Sequence, residues 1–189
     1  RILSDNFVKN NIIFFVGTLT TGFLSYLFHP VLSRLMSVAD FGDVQALLSF
    51  SALSGGVVVI FSTIIVNLVA NGGEEEEKIK KISNLRKIAF YASGFVFFLF
   101  FLGSLFLKNF FNFNSLPAFI LLIVSFPLGV SLMVRSAFLQ GRRNFKVLSL
   151  SGVISSFGRL LFAAFFVILG WRTFGAIFGL LVAQLVPLG

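Results

Sequence analysis

Long apolar runs, each about the length of a membrane crossing, alternate along this chain with short polar links. A helix needs about 20 residues to cross a hydrocarbon core of about 30 Å. The pattern predicts six spans, over residues 11–36, 44–70, 88–107, 117–140, 147–169 and 174–189, and so an all-α, polytopic transmembrane helix bundle.

Several spans carry polar residues at helical spacing. In the first, Thr18, Thr21, Ser25, His29 and Ser33 follow one another at intervals of three or four and share one face, and Pro30 is expected to kink the helix because it has no N–H to donate. Such residues serve as packing contacts between membrane helices or as the lining of a lumen. In the fourth span Ser125, Gly129, Ser136 and Gln140 form a comparable stripe with Arg135 beside it. In the fifth, Gly152, Ser155, Ser156, Arg159 and Ala163 form a small-and-polar face. Gly175 and Gly179 make a small-xxx-small pair in the sixth.

The links are short. Residues 1–10 read as an interfacial lead-in. Asp40 is placed to N-cap the second helix, with Asp43 near its positive end. Gly55 and Gly56 mark a bend or a close approach within that helix. Glu74, Glu76 and Glu77 precede Lys78, Lys80 and Lys81 by four residues each, which predicts a short solvated helical connector before the Phe-rich third span. Residues 108–117 form another turn, and Trp171 is placed as an interfacial anchor between the last two spans.

Composition sharpens this picture. The chain is 57% hydrophobic and 12% charged, where soluble domains run near 25% charged, so it is read as an integral membrane protein. There is no cysteine and a single histidine, His29, so thiolate metal sites, disulfides and cysteine nucleophiles are excluded. The spans hold no carboxylate and the links no phosphate-binding glycine loop, which argues against an enzyme and for no cofactor and no metal. The chain is expected to be a piece of a longer protein, since it starts at Arg1 and stops at Gly189 inside an apolar run.

The net charge of +8 belongs to the links rather than to a nucleic-acid surface. With the N-terminus in the cytoplasm, ten lysines and arginines fall on the inner side and three, Arg34, Lys108 and Arg172, on the outer. That asymmetry predicts a cytoplasmic N-terminus. Arg135 and Arg159 are left within the membrane, where an arginine costs about 2.5–3.5 kcal/mol on insertion scales and calls for a cavity or a partner. Arg135 lies close enough to the basic turn Gly141-Arg142-Arg143-Asn144-Phe145-Lys146 to snorkel toward it, which is harder for Arg159, about a dozen residues into its helix. Two guanidinium groups beside rows of hydroxyls fit a phosphate-bearing substrate, because the planar fork matches phosphate oxygens in pairs.

The order P-x-L-S-R-L-M-S-x-x-D-F-G over residues 30–42, F-L-Q-G-R-R-N-F-K over 138–146, Gly158-Arg159, and then G-W-R-T-F-G-A-I-F-G resembles the N-terminal half of the polysaccharide biosynthesis flippases. These are the O-antigen and capsule repeat-unit translocases, in the superfamily of the MATE multidrug exporters. The resemblance spans nearly the whole chain, although Asp43 departs from the bulkier residue usual there. It implies one six-span lobe of a two-lobed MATE-like transporter in a bacterial inner membrane. It also implies a lipid-linked oligosaccharide on an undecaprenyl diphosphate as substrate, moved by alternating access, with membrane lipid, a polysaccharide polymerase and glycosyltransferases as partners and no nucleic acid. The residues expected along the substrate path are Arg159, Arg135, Arg34, His29, Thr21, Ser25, Ser125, Ser136, Gln140 and Ser156. The rival readings are a cation-coupled multidrug exporter and a non-transporting scaffold of a glycan-assembly complex.

Overall fold

In the computed structural model, the described residues are 2–70, 75–111 and 116–186, and among them the chain is helical with no strand. Six helices follow in order: α1 (Ile2–Leu35), α2 (Val38–Ala70), α3 (Glu75–Phe111), α4 (Leu116–Gly141), α5 (Phe145–Phe166) and α6 (Arg172–Leu185), with a π-helical segment (Val167–Trp171) closing α5. Among the described residues, three stretches are long and apolar enough to cross a membrane: Asn11–Leu35, Pro117–Gly141 and Phe145–Leu185. A fourth is added if Val38–Leu53 and Val58–Ala70, bent by 44° to one another, form a single broken span. Gly55 and Gly56 lie in that bend, and a Cβ on either would meet open space, so they mark a bend and not a close approach.

The six-span expectation is therefore met in the number of helices and not in the number of qualifying spans. One reason lies at residues 145–185. There a continuous apolar stretch of 41 residues turns back on itself, because Gly170 takes a left-handed conformation (φ 87°) and Arg172 follows with φ 46°. Glycine adopts a positive φ without a Cβ clash. α6 then lies antiparallel on α5: Gly158 faces Ala183, Gly175 faces the Phe166 carbonyl, and Gly179 is in direct contact with the Ala163 backbone. The other reason is α3, in which the charged connector and the Phe-rich run form one unbroken helix of 37 residues. No proline or glycine separates them between Glu75 and Tyr91. Glu74 of the expected ion-pair ladder, turn residues 112–115 and residues 187–189 of the sixth span lie outside the described residues, as does the Lys78 side chain. Lys81 Nζ does meet Glu77 Oε1, at 2.6 Å.

Two further boundaries differ from expectation. The lead-in is already helical from Ile2, and α1 continues through Pro30 to Leu35. The cap of α2 is Ser37 and not Asp40: Ser37 Oγ accepts from the Asp40 N–H at 3.1 Å and donates to Asp40 Oδ2 at 2.7 Å. Asp40 is the third residue of the helix, and its carboxylate orients the capping hydroxyl by accepting from it.

The helices alternate in direction. α1 and α5 run parallel in constant register, with Phe14 against Phe145, Gly17 against Ser149, Thr21 against Gly152 and Phe28 against Arg159. α2, α4 and α6 also share a direction: Gly141 abuts Val69, Gly55 and Val58 share a cavity with Phe126 and Val130, and Thr173 Oγ1 donates to the Asp40 carbonyl at 3.3 Å. The main cluster of buried apolar side chains gathers Phe28 and Leu32 of α1, Val44 and Leu47 of α2, Phe119 and Leu122 of α4, and Ile177 and Leu180 of α6. All of these lie toward the end of the bundle opposite the basic 142–144 turn. Large apolar side chains thus fill that end, and the cleft lined by Arg135 opens toward the other.

Candidate functional site

The parallel seam between α1 and α5 is made by small residues. A Cβ added to Gly17 would collide with the Ser149 side chain, and one added to Gly152 would meet Thr21 Oγ1 at 3.3 Å. The same register sets Ser25 level with Ser156, which is buried. Thr21, Ser25 and Ser156 of the expected path therefore come together along one seam.

Arg159 stands at the top of that seam, where the apolar cluster begins. It lies fourteen positions beyond Phe145, about 21 Å along the helix at 1.5 Å per residue. Its guanidinium carbon is 4.8 Å from the ring centroid of Phe28, itself almost fully buried. A cation held over an aromatic face gains about 0.5–2 kcal/mol, more as water is removed. The bond inventory is nevertheless incomplete, because among the described residues the buried Arg159 Nε–H has no acceptor. A buried donor left unmade costs about 1–3 kcal/mol, and more on a charged group.

Arg135 occupies the other end. It lines a cleft of about 170 Å³ between α4 and α5, together with Ser136, Ser151, Gly152 and Ser155. Ser151, Ser155 and Arg159 are spaced four apart on α5, so a strip of hydroxyls leads from this cleft to the deep guanidinium. The vertical distance from Ser151 to Arg159 is about 12 Å. Ser151 Oγ donates to the Leu148 carbonyl at 2.9 Å, which leaves its lone pairs open toward the cleft.

Matching the chain against known families decides its kinship: the profile described as polysaccharide biosynthesis protein covers residues 7–188. The chain belongs to the polysaccharide biosynthesis protein family. No curated protein and no solved structure matches it. For a member of this family, apolar helices of spanning length fit a membrane protein of polysaccharide biosynthesis.

The remaining expected path residues of this family member are dispersed. Ser125 is buried, donates to the Leu122 carbonyl at 2.7 Å, and lines a separate cavity of about 170 Å³ with Ser51 and Gln184, whose buried Oε1 has no donor among the described residues. His29 Nδ1 is 2.9 Å from Gln45 Nε2 on α2. Arg34 is exposed in the last turn of α1. Gln140 gives its carbonyl to the Arg143 N–H at 3.0 Å, within the turn rather than the cleft.

Sequence reasoning missed Gln45, Ser151, Arg86 and Lys87 as candidates. The first two lacked any charge to draw notice. The charge pattern places Arg86 and Lys87 in the solvated connector, yet the unbroken α3 carries them alongside α4, where Arg86 Nη2 reaches Ser131 Oγ at 3.5 Å. Ser131 lies ten positions before Gly141, about 15 Å inside the end of α4.

Proposed function

We propose that this chain is one lobe of a flippase that carries a lipid-linked oligosaccharide, bound through its undecaprenyl diphosphate, from the inner to the outer leaflet of a bacterial cytoplasmic membrane. The lobe acts as a carrier by alternating access and not as an enzyme, with its N-terminus in the cytoplasm and polymerase and glycosyltransferases as downstream and upstream partners. The observation that carries the reading is the unmatched Nε–H of Arg159, reached along hydroxyls from the cleft that holds Arg135. A diphosphate supplies the missing acceptor, and guanidinium pairs with it through two parallel bonds. Family membership over residues 7–188 supports the glycan part of the reading.

In this mechanism Arg135 meets the diphosphate at the open, basic end of the lobe. Ser136 and Ser155 offer hydroxyl donors along the strip, and Arg159 receives the charge beneath the filled end. Because Phe28 already covers one face of Arg159, the guanidinium is held in place before the anion arrives. The bend in α2 and the cleft toward the turn end provide the part of the lobe that can close.

The test is translocation of a lipid-linked oligosaccharide in vesicles containing the full-length protein, comparing Arg159→Ala and Arg135→Ala with wild type. Both variants are expected to lower the rate at least tenfold at equal protein level, with Arg159→Ala the more severe. Unchanged rates in both would overturn the reading.

A further inference from the structure

The groove between α3 and α4 is a second cationic site, on the side of α4 away from the Arg159 seam. It measures about 370 Å³ and brings Arg86, Lys87 and Ser83 of α3 to Ser131 of α4. Within it Ser131 Oγ accepts the long contact from Arg86 and donates its own hydrogen to the Pro127 carbonyl at 3.0 Å. Among the described residues neither Arg86 nor Lys87 has a carboxylate partner, so two cations stand together in the groove with no opposite charge on them.

The surface that leads away from the groove has the opposite character. Lys87, Tyr91, Phe95, Phe98 and Leu102 succeed one another at spacings of three or four and form one stripe along α3. Tyr91, Phe95, Phe98 and Leu102 are all exposed large apolar side chains. From Lys87 to Leu102 the stripe runs about 22 Å, longer than half of a hydrocarbon core of about 30 Å. A charged pocket continued by an apolar track has the shape of an amphiphile with an anionic head.

We infer that this groove binds an anionic phospholipid, its phosphate held by Arg86 and Lys87 and an acyl chain along the Tyr91–Leu102 stripe. Basic pockets between membrane helices recognise lipid headgroups in this way. A free phosphate shares the headgroup chemistry but makes no use of the stripe, and this difference selects the lipid. The inference rests on membrane placement alone and stands or falls separately from the transported substrate.

The experiment is native mass spectrometry and thermal shift on the detergent-purified full-length protein, with phosphatidylglycerol and phosphatidylcholine of matched chains as probes. Wild type is expected to retain phosphatidylglycerol at least tenfold over phosphatidylcholine, and Arg86→Gln with Lys87→Gln to lose the preference. The charge-preserving pair Arg86→Lys with Lys87→Arg is expected to keep it. Should the double glutamine variant not fold, Lys87→Gln alone is expected to reduce the preference at least threefold. Equal retention of the two lipids by wild type, or an undiminished preference in a folded glutamine variant, overturns the inference. So does displacement of phosphatidylglycerol by equimolar inorganic phosphate, which would mark a free-anion site, or by equimolar polyprenyl diphosphate, which would mark part of the transport path.

Discussion

Arg159 is held on one side by Phe28 and left open on another, and both facts can be measured. Arg159→Lys is expected to recover only part of the translocation lost in Arg159→Ala, since an ammonium restores charge without the bidentate fork. Phe28→Leu keeps the apolar volume approximately and removes the ring, so it is expected to lower stability by about 0.5–2 kcal/mol, read as a lower melting temperature in detergent. Arg143 presents a contrasting case. It sits at φ 57° at the end of α4, with Asn144 N–H bonded to the Leu139 carbonyl and Arg143 N–H to the Gln140 carbonyl. This is the Schellman arrangement, in which glycine is the usual occupant. Arg143→Gly is expected to raise stability by about 1 kcal/mol, the left-handed cost of a side chain, in the same thermal assay. At this scale the sequence showed charge well and pairing poorly. Arg135 and Arg159 stood out because cations are rare inside apolar runs. Ser37 was passed over as a cap for the neighbouring aspartate, and Gln45 has meaning only once α2 lies beside His29.

Among the helices, the hairpin of α5 and α6 depends on backbones that touch. Gly179 sits directly on the Ala163 backbone, where no neighbour can yield as a flexible side chain would. Gly179→Leu is expected to cost well over the 1–3 kcal/mol of ordinary overpacking, with loss of the monodisperse peak in detergent gel filtration, whereas Gly22→Leu, which meets open space, is expected to leave that peak intact. The small-xxx-small pair was readable because glycine spacing reports close packing directly. The extent of α3 was not, since periodicity and charge separate a solvated stretch from an apolar one without saying that a helix stops between them. The charged start of α3 also responds to pH. The Lys81 hydrogen bond and charge hold the Glu77 carboxyl below its ordinary range, so the pair's stabilisation is present above the ordinary carboxylate range and is lost as pH falls through the depressed value. In a peptide of residues 75–92, helicity by circular dichroism is expected to fall on acidification, and by less in Lys81→Gln.

Across the whole molecule, the alternation of helix directions places the N-terminal end of α1, the start of α3 and the 142–144 turn at one end, and Arg34 with Trp171 at the other. Residues 1–189 contain no cysteine, so single-cysteine labelling needs no cysteine replaced within them. Arg143→Cys is expected to react from the cytoplasmic face and Arg172→Cys from the opposite face; the reverse would invert the proposed orientation. The alternation was implicit in the count of spans, but the partners were not: nothing in the local pattern announces that α1 lies on α5 and not on α2. That pairing has a consequence for synthesis. Phe14 meets Phe145 and Phe28 meets Arg159, so α1 waits for residues 131 positions downstream. At about 5–20 residues per second the delay is roughly 7 to 26 seconds. During it the newborn α1 sits in the bilayer with Thr21 and Ser25 unmatched, dependent on the insertion machinery or on lipid until α5 emerges and the seam can close.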